Sequence, residues 1–451
     1  MESQYEWQFC THFFQVKGTP MPTNFVLRNV QLADGTIQDI QVQEDKIVAV
    51  GKSLNAIEVI DCSGLIALPG FVDLHTHLRE PGFEQSETVL TGTQSAALGG
   101  FTAVHAMANT MPVADTAGVV EQVASLGKEA GYADVYPIGA VTVGLEGKQL
   151  AELGAMANSK AQVKVFSDDG KCVHDPVIMR RALEYVKAFD GVIAQHAQEP
   201  RLTEGAQMHE GAVSAVLGLA GWPSVAEESI IARDVLLAEH VDSRVHICHL
   251  STKGSVEIVR WAKARGIKVT AEVTPHHLLL TDELARSYDS VYKVNPPLRT
   301  ADDVAALREA LVDGTIDIIA TDHAPHPIES KDCEWSAAAF GMLGLETAAS
   351  IAQEVLIESG KSDWTRFSEV LSLNPARIAG DEEQGQGVKE GAIANIVLID
   401  PNVKRKVVAE SASKSINSPY VGLELPGKVV HTIYRGYFTV RDSQLAKQGR
   451  G

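Results

Sequence analysis

Along residues 24–51, apolar and polar positions alternate (NFVLRNVQLADGTIQDIQVQEDKIVAVG), interrupted by an Asp34-Gly35 and a Glu44-Asp45 pair. A period of two puts successive side chains on opposite faces and the paired turn residues reverse the chain, so the stretch predicts short antiparallel strands and hairpins. The same style returns near the other end, in AIANIVLID (392–400) and KVVHTIYRGYFTV (428–440). Strands must find partners, and neither end carries enough of them for a core of its own. Residues 23–67 and 390–440 are therefore expected to build one small β-sandwich domain together. Residues 1–22 have no clear periodicity and contain Gly18, Pro20 and Pro22; they read as an extension of unknown role.

Between the ends the pattern changes to short β-like runs separated by amphipathic stretches. Eight runs follow one another: GFVDLHTHL (70–78), GFTAVHAMAN (100–109), VYPIGAV (135–141), QVKVFSDD (162–169), GVIAQHA (191–197), RVHICHLS (244–251), KVTAEVTP (268–275) and TIDIIATDHAP (315–325). Segments between them, such as DPVIMRRALEYVKAF (175–189) and GSVEIVRWAKARG (254–266), carry helical spacing. Strand alternating with helix implies a parallel sheet, and eight such units imply a closed barrel, here over residues 68–389. An open doubly wound sheet is the alternative, but no G-x-G-x-x-G follows the first strand. The expected fold class is α/β: a (β/α)8 TIM-type barrel with a small β-sandwich built from both termini.

The chain has 451 residues, 45% hydrophobic and 22% charged, which supplies a large core and excludes disordered or fibrous classes. Its net charge of −19 repels nucleic-acid backbones and anionic membrane surfaces, so an anionic substrate must be met by a locally basic or metal-bearing pocket. No stretch reaches the ~18 apolar residues that span a bilayer. The five cysteines (Cys10, Cys62, Cys172, Cys248 and Cys333) are far apart, without a C-x-x-C pair, and fit a reduced chain. Nothing near Met1 has the pattern of a signal peptide. A cytoplasmic protein that binds neither nucleic acid nor membrane is expected.

Polar residues gather at the C-terminal ends of the predicted strands. His75, His77 and Arg79 follow the first, Asn109 the second, Asp168 and Asp169 the fourth, His196 the fifth, His249 the sixth, and Asp322 with His326 the eighth. A barrel places its active site on this rim, because the loops above the strands converge there. In an extended chain, His75-x-His77 points both imidazoles to one side, so two neutral nitrogens can bind one cation. Imidazole and carboxylate ligands suit zinc or a similar divalent ion. Four histidines and two acids exceed what one tetrahedral ion needs. Two ions sharing an acid and a hydroxide are expected, an arrangement that lowers the pKa of bound water toward ~7.

The motifs GFVDLHTHLREPG (70–82), TGTQSAALGGFTAVHAMANTMP (91–112), FSDDG (166–170), IAQHAQEP (193–200), HICHLST (246–252), TPHHL (274–278), NPPLR (295–299) and TDHAPH (321–326) occur in order. Together, over residues 24 to about 437, they resemble a bacterial dihydroorotase of the first class, in the amidohydrolase superfamily. The family usually reads Met-Pro-Asn-Thr where this chain has Met107-Ala108-Asn109-Thr110, a departure that keeps Asn109. The resemblance implies that His75, His77, Asp169 and Asp322 hold one metal, and that Asp169 bridges to a second held by His196 and His249. It further implies Arg79, Asn109 and His326 on the substrate carboxylate, Asn295 on the substrate ring, and two divalent ions, Zn2+, as cofactors. The implied reaction interconverts N-carbamoyl-L-aspartate and L-dihydroorotate in pyrimidine biosynthesis. Members commonly form homo-oligomers, some of them with aspartate carbamoyltransferase. The residue chemistry agrees: Asp322 can carry a proton from hydroxide to the leaving nitrogen, a shuttle usually contributing ~10²–10⁴ in rate. Arg79 offers a planar fork matched to a carboxylate.

Lys164, in the same fourth run, is a rival bridge, because a lysine that has taken up carbon dioxide joins metals in related enzymes. Unmodified, it would be a barrel-layer cation paired with an acid. Asp169 is preferred, since it falls where the loop turns over the barrel mouth and needs no modification. Asp168 reads as a turn or supporting acid, and His276 and His277 as packing or supporting residues. His105, His246 and Cys248 read as structural. Gly341 and Gly344 read either as a loop offering backbone groups to substrate or as helix caps. Two rival functions share much of this pattern. A hydantoinase or allantoinase would keep the barrel and metals but lack the Arg79–Asn109 pair; a non-catalytic scaffold for aspartate carbamoyltransferase would have lost ligands, and here none is missing.

Overall fold

A computed structural model describes residues 23–446; the expected extension, 1–22, lies outside the described residues. Each of the eight runs contains a strand: Phe71–Thr76, Phe101–Ala106, Asp134–Pro137, Val165–Phe166, Val192–Gln195, Val245–Ile247, Val269–Val273 and Ile318–Ile319, the first to eighth strands below. The first three pair in parallel with their sequence neighbours, and so do the last five. Isolated parallel bridges, Gly139 with Phe166 and Thr76 with His323, lie at the two places where these sheets adjoin. The architecture is α/β with parallel sheets, and its strands are buried on both faces, as sheets covered by helices are.

Local sequence explains the crossovers. Pro176–Val186 starts where the Asp175 side chain accepts from the backbone N–H of Val177 and Ile178, with Pro176 in the first turn, where its missing N–H costs nothing. Met179, Ala182, Leu183 and Val186, at spacings of three and four, form its buried stripe. Lys253–Ala264 repeats the logic, capped by Thr252 and burying Val256, Val259 and Ala262. No helix among the described residues is long and apolar enough to cross a membrane.

Among the described residues, strands from residues 24–69 and 396–445 meet in one sheet of nine. Ile66–Pro69 pairs antiparallel with Ile396–Lys406, so the seam between the two ends lies inside the sheet. Asn24–Leu32, Ile37–Gln43 and Lys46–Gly51 extend it on one side, and Glu424–Tyr434, Tyr437–Arg441 and Gln444–Leu445 on the other. Glu58–Asp61 pairs alongside Asn24–Leu32. The strands expected as a two-layer sandwich thus form a single hydrogen-bonded sheet. Alternation records which face is buried, not which strand is the neighbour, and the short apolar Ile66–Pro69 run supplies the join. Phe25, Leu27, Ile40, Val42, Ile396, Leu398 and Ile433 form the sheet's core.

This sheet positions the site through Gly70. Ile66–Pro69 continues through Gly70 into the first parallel strand, and a Cβ on Gly70 would collide with the Thr102 side chain. Only glycine lets the backbone pass that close to the second strand.

Candidate metal centre and active site

The ends of the parallel strands bring His75, His77, Asp169, His196, His249 and Asp322 to one buried centre. His75 Nε2 lies 3.3 Å from Asp169 Oδ1 and 3.5 Å from Asp322 Oδ1. His77 Nε2 lies 3.3 Å from Asp169 Oδ2 and 3.1 Å from Asp322 Oδ1. His196 Nδ1 and His249 Nε2 stand 3.2 and 3.3 Å from Asp169 Oδ1, and 2.9 Å from each other. Asp169 therefore touches all four imidazoles, with one oxygen toward three of them and the other toward His77.

Outer partners orient three of the rings. His75 Nδ1 is 2.7 Å from Glu272 Oε1, His77 Nδ1 is 2.9 Å from Asn109 Oδ1, and His196 Nε2 is 2.8 Å from Gln198 Oε1. Each partner is an acceptor, which assigns the ring proton to the outer nitrogen and leaves a lone pair on the inner one. Inner lone pairs and carboxylate oxygens then face one another without a proton between them, and His75 Nε2, fully buried, has no hydrogen-bond partner among the described residues. Acceptors packed this closely away from water require a cation among them. Ligand atoms of His75, His77 and Asp322, and of His75, Asp169 and His249, lie within 4.8 Å of one another, so the donor set fits divalent metal.

Electrostatics point the same way. Burial opposes a charge on His75, but the carboxylates of Asp169, Glu272 and Asp322 prevail and raise its pKa well above the usual value. Burial raises the Asp169 and Asp322 carboxyls, yet His75 and its neighbours hold Asp169 well below the ordinary range and Asp322 down to about 2. The centre demands positive charge, which divalent ions held there would supply while leaving the imidazoles neutral.

The local folding that aims these groups is costly. Arg79, His249 and Asp322 have φ of 64°, 31° and 46°, in a region that side chains other than glycine's rarely adopt. Buried acids brace the strand ends around them. Asp73 accepts from the N–H of His75 (3.3 Å) and Thr321 (2.9 Å), tying the first strand to the residues after the eighth. Asp168, the supporting acid expected from sequence, accepts from the N–H of Val141 (2.8 Å) and Thr142 (2.9 Å) and from the Thr142 hydroxyl.

Sequence reasoning missed Glu272. Its Oε1 accepts from His75 and from the His249 N–H (3.2 Å), and its Oε2 is 3.0 Å from His246 Nε2, so His246 supports the acid behind His75 and His249. The available signal was a lone carboxylate inside the apolar run KVTAEVTP. Glu272→Gln is expected to keep the fold and weaken metal binding about 10–100-fold, the usual effect of losing an outer-shell partner. Metal titration of the apoprotein checks this, and unchanged affinity would remove Glu272 from the centre.

On the substrate side, Arg79 donates from Nε to the Pro325 carbonyl at 3.1 Å, and its terminal nitrogen lies 3.4 Å from His326 Nε2. His326 Nε2 is 2.8 Å from the Phe340 carbonyl; burial and Arg79 push the His326 pKa down to about 3. Arg79 and His326 thus meet, whereas Asn109 gives its oxygen to His77 despite Ala108 beside it. Asn295 donates from Nδ2 to Gln198 Oε1 at 3.2 Å, and its Oδ1 is buried without a hydrogen-bond partner among the described residues. A cavity of about 680 Å³, lined by Gly170, Gln198, Trp222, Asn295 and Phe340 among others, opens beside these groups.

Other expectations change. Lys164 precedes the two-residue fourth strand, is exposed, and donates to the Phe189 carbonyl at 3.0 Å; it is neither a bridge between metals nor a layer cation paired with an acid. The flanking Val163 and Val165 are buried, which turns Lys164 outward. Gly341 and Gly344 are close-approach positions: a Cβ on Gly341 would lie 2.8 Å from His326 Nε2, and one on Gly344 would lie 2.9 Å from the Thr321 carbonyl oxygen. His277 sits between the Thr274 hydroxyl and the Pro296 carbonyl. His276 is buried with neither ring nitrogen hydrogen-bonded among the described residues, and burial pushes its pKa down to about 4. His105 pairs with Asp381, and burial raises the Cys248 thiol.

Parallel strands whose ends carry this buried His-Asp centre define a metal-dependent cyclic amidohydrolase. Among solved structures, the chain is similar to the L-hydantoinase (dihydropyrimidinase) of Arthrobacter aurescens, with TM-score 0.84 and 25% identity over 95% of this chain and 98% of the other. It is similar also to the dihydropyrimidinase of Brevibacillus agri, with TM-score 0.80 and 24% identity over 94% and 96%. Residues 64–255 match the Dihydro-orotase-like family model. The chain is 65% identical to the dihydroorotase of Leifsonia xyli over 95% of its own length and 98% of the relative's. It is 67% identical to that of Streptomyces coelicolor over 93% and 99%, and 53% identical to that of Mycobacterium tuberculosis over 91% and 97%. The chain belongs to the dihydroorotase family.

Proposed function

We propose that the chain interconverts N-carbamoyl-L-aspartate and L-dihydroorotate in pyrimidine biosynthesis, at a centre for two divalent ions, zinc by the chemistry of its ligands. The observation that carries this reading is the convergence of inner imidazole lone pairs on Asp169 and Asp322, with the outer nitrogens of His75, His77 and His196 already engaged. His75, His77, Asp169 and Asp322 would hold one ion; Asp169, His196 and His249 would hold the other. Bound there, the ions supply a polarised amide carbonyl and a more acidic water.

The protein's own residues do the rest. Asp322, whose Oδ1 lies 3.1 Å from His77 Nε2 at the centre, accepts the proton of the attacking water and delivers it to the leaving ring nitrogen. In the direction of cyclisation it takes a proton from the carbamoyl nitrogen and returns it to the departing hydroxyl. Arg79, beside His326, presents a planar fork to the substrate carboxylate. A neutral hydantoin ring offers that fork no partner, which favours the carboxylated substrate over a hydantoinase reading. The bridges at both sheet seams support closure of the eight strands into a barrel over 68–389, with the terminal strands as a second unit.

Arg79→Lys is expected to raise KM for dihydroorotate with little change in kcat. A charge-assisted hydrogen bond contributes about 1.5–3 kcal/mol, and an ammonium cannot remake a bidentate one. Steady-state kinetics check this; an unchanged KM, with saturation shown to report binding, would remove Arg79 from substrate recognition. Elemental analysis of the metal-loaded protein tests the centre itself. Two ions per chain are expected, and one or none would contradict the two-ion reading.

A further inference from the structure

Gln198 lies two residues after His196 and touches both halves of the site. Its Oε1 is 2.8 Å from His196 Nε2 and 3.2 Å from Asn295 Nδ2. Its own Nε2 donates to the Thr203 hydroxyl oxygen at 2.7 Å. The Thr203 hydroxyl faces the Glu199 carbonyl at 3.2 Å and the Pro200 carbonyl at 3.3 Å, so its proton is directed there and its oxygen is left to accept. That contact fixes which end of the carboxamide is nitrogen, and turns the oxygen toward His196 and Asn295.

A carboxamide oxygen has two lone pairs, and here each meets one donor. At His196 the consequence is a proton on Nε2 and a lone pair on Nδ1, the nitrogen that faces Asp169 and His249. At Asn295 the consequence is that Nδ2 is engaged and Oδ1 is left as an acceptor, buried and without a hydrogen-bond partner among the described residues. Asn295 lines the cavity beside the centre, and a cyclic ureide carries the N–H groups such an acceptor would meet. One oxygen atom therefore sets both the tautomer of a metal ligand and the polarity of the contact to the substrate ring.

We propose that Gln198 is a positioning residue that couples the ion held by His196 to recognition of the substrate ring by Asn295. The proposal rests on the two-ion reading above. Gln198→Leu keeps similar bulk and removes the shared acceptor; Gln198→Glu keeps an acceptor oxygen for both donors, and the Thr203 hydroxyl can donate to its other oxygen.

The experiment is a zinc titration of the apoproteins, combined with KM and kcat for dihydroorotate at saturating zinc. In Gln198→Leu, the affinity for one of the two ions is expected to fall about 10–100-fold while the other is unchanged. KM should rise, and adding Asn295→Ala to Gln198→Leu should raise it little further, although Asn295→Ala alone raises it. Gln198→Glu should restore both ion affinities to near wild type. Wild-type protein that binds fewer than two ions would sink the two-ion reading. Wild-type protein that binds two, with Gln198→Leu binding both as tightly at unchanged KM, would sink this proposal alone. Equal loss of both affinities together with a lower Tm would mark Gln198 as merely structural and overturn it. Should Gln198→Leu not fold, Thr203→Val, which frees the amide to flip, should show the same selective loss to a smaller extent; an unchanged ratio of the two affinities there also overturns the proposal.

Discussion

Asp322→Asn is expected to fold, to retain metal, and to lose about 10²–10⁴ of its turnover in both directions, the range that a positioned proton carrier contributes. The carboxamide has the size of the carboxylate and keeps one oxygen for the contact that Asp322 Oδ1 makes with His77 at 3.1 Å. It cannot take up the proton that must travel between water and ring nitrogen. Because the same group serves hydrolysis and cyclisation, the two rates should fall together. Rates measured in both directions, with metal content and circular dichroism on the same sample, check the expectation. Near wild-type rates across the pH range would remove Asp322 from the chemistry, and loss of metal in parallel with activity would reduce it to a ligand.

Asp169→Ala is expected to empty the centre and abolish activity, with the fold retained. Among the described residues, Asp169 is the one acid that contacts His75, His77, His196 and His249 together, so its removal leaves four imidazoles without the charge that draws a cation among them. Added bicarbonate should rescue nothing. Lys164→Ala should bind metal and turn over as wild type does, because the Lys164 amine lies on the exposed side, on the Phe189 carbonyl. Elemental analysis of both variants decides. A metal-loaded, active Asp169→Ala, beside a Lys164→Ala that loses metal and regains it with a short-chain carboxylic acid, would reverse the assignment of the bridge.

The histidines and aspartates that meet at the centre were legible in the sequence because they stand at the ends of five strands, His75 and His77 sharing the first, where spacing and the geometry of parallel α/β folds both point. Their supports were not. Glu272 reaches His75 across 197 residues of chain, and a single glutamate in an apolar strand carries no spacing signal of its own. Gln198 was hidden differently: it sits inside a motif, but its significance depends on Asn295, 97 residues away. Gly341 shows the same limit, since the His326 imidazole that excludes a Cβ there follows from how the loop returns rather than from local turn chemistry. For the fold, alternation identified the terminal strands and even their turns, while the pairing of Ile66–Pro69 with Ile396–Lys406 depends on both ends at once. Lys164 was decidable in part: buried valines on either side of it already oppose an inward lysine.

The most direct test of the account is turnover by the purified, metal-replete protein, offered L-dihydroorotate, hydantoin and allantoin in parallel. Hydrolysis of dihydroorotate to N-carbamoyl-L-aspartate, reversed when the linear compound is supplied, with little turnover of the other two rings, is the predicted result. Hydrolysis of hydantoin or allantoin with none of dihydroorotate would contradict it.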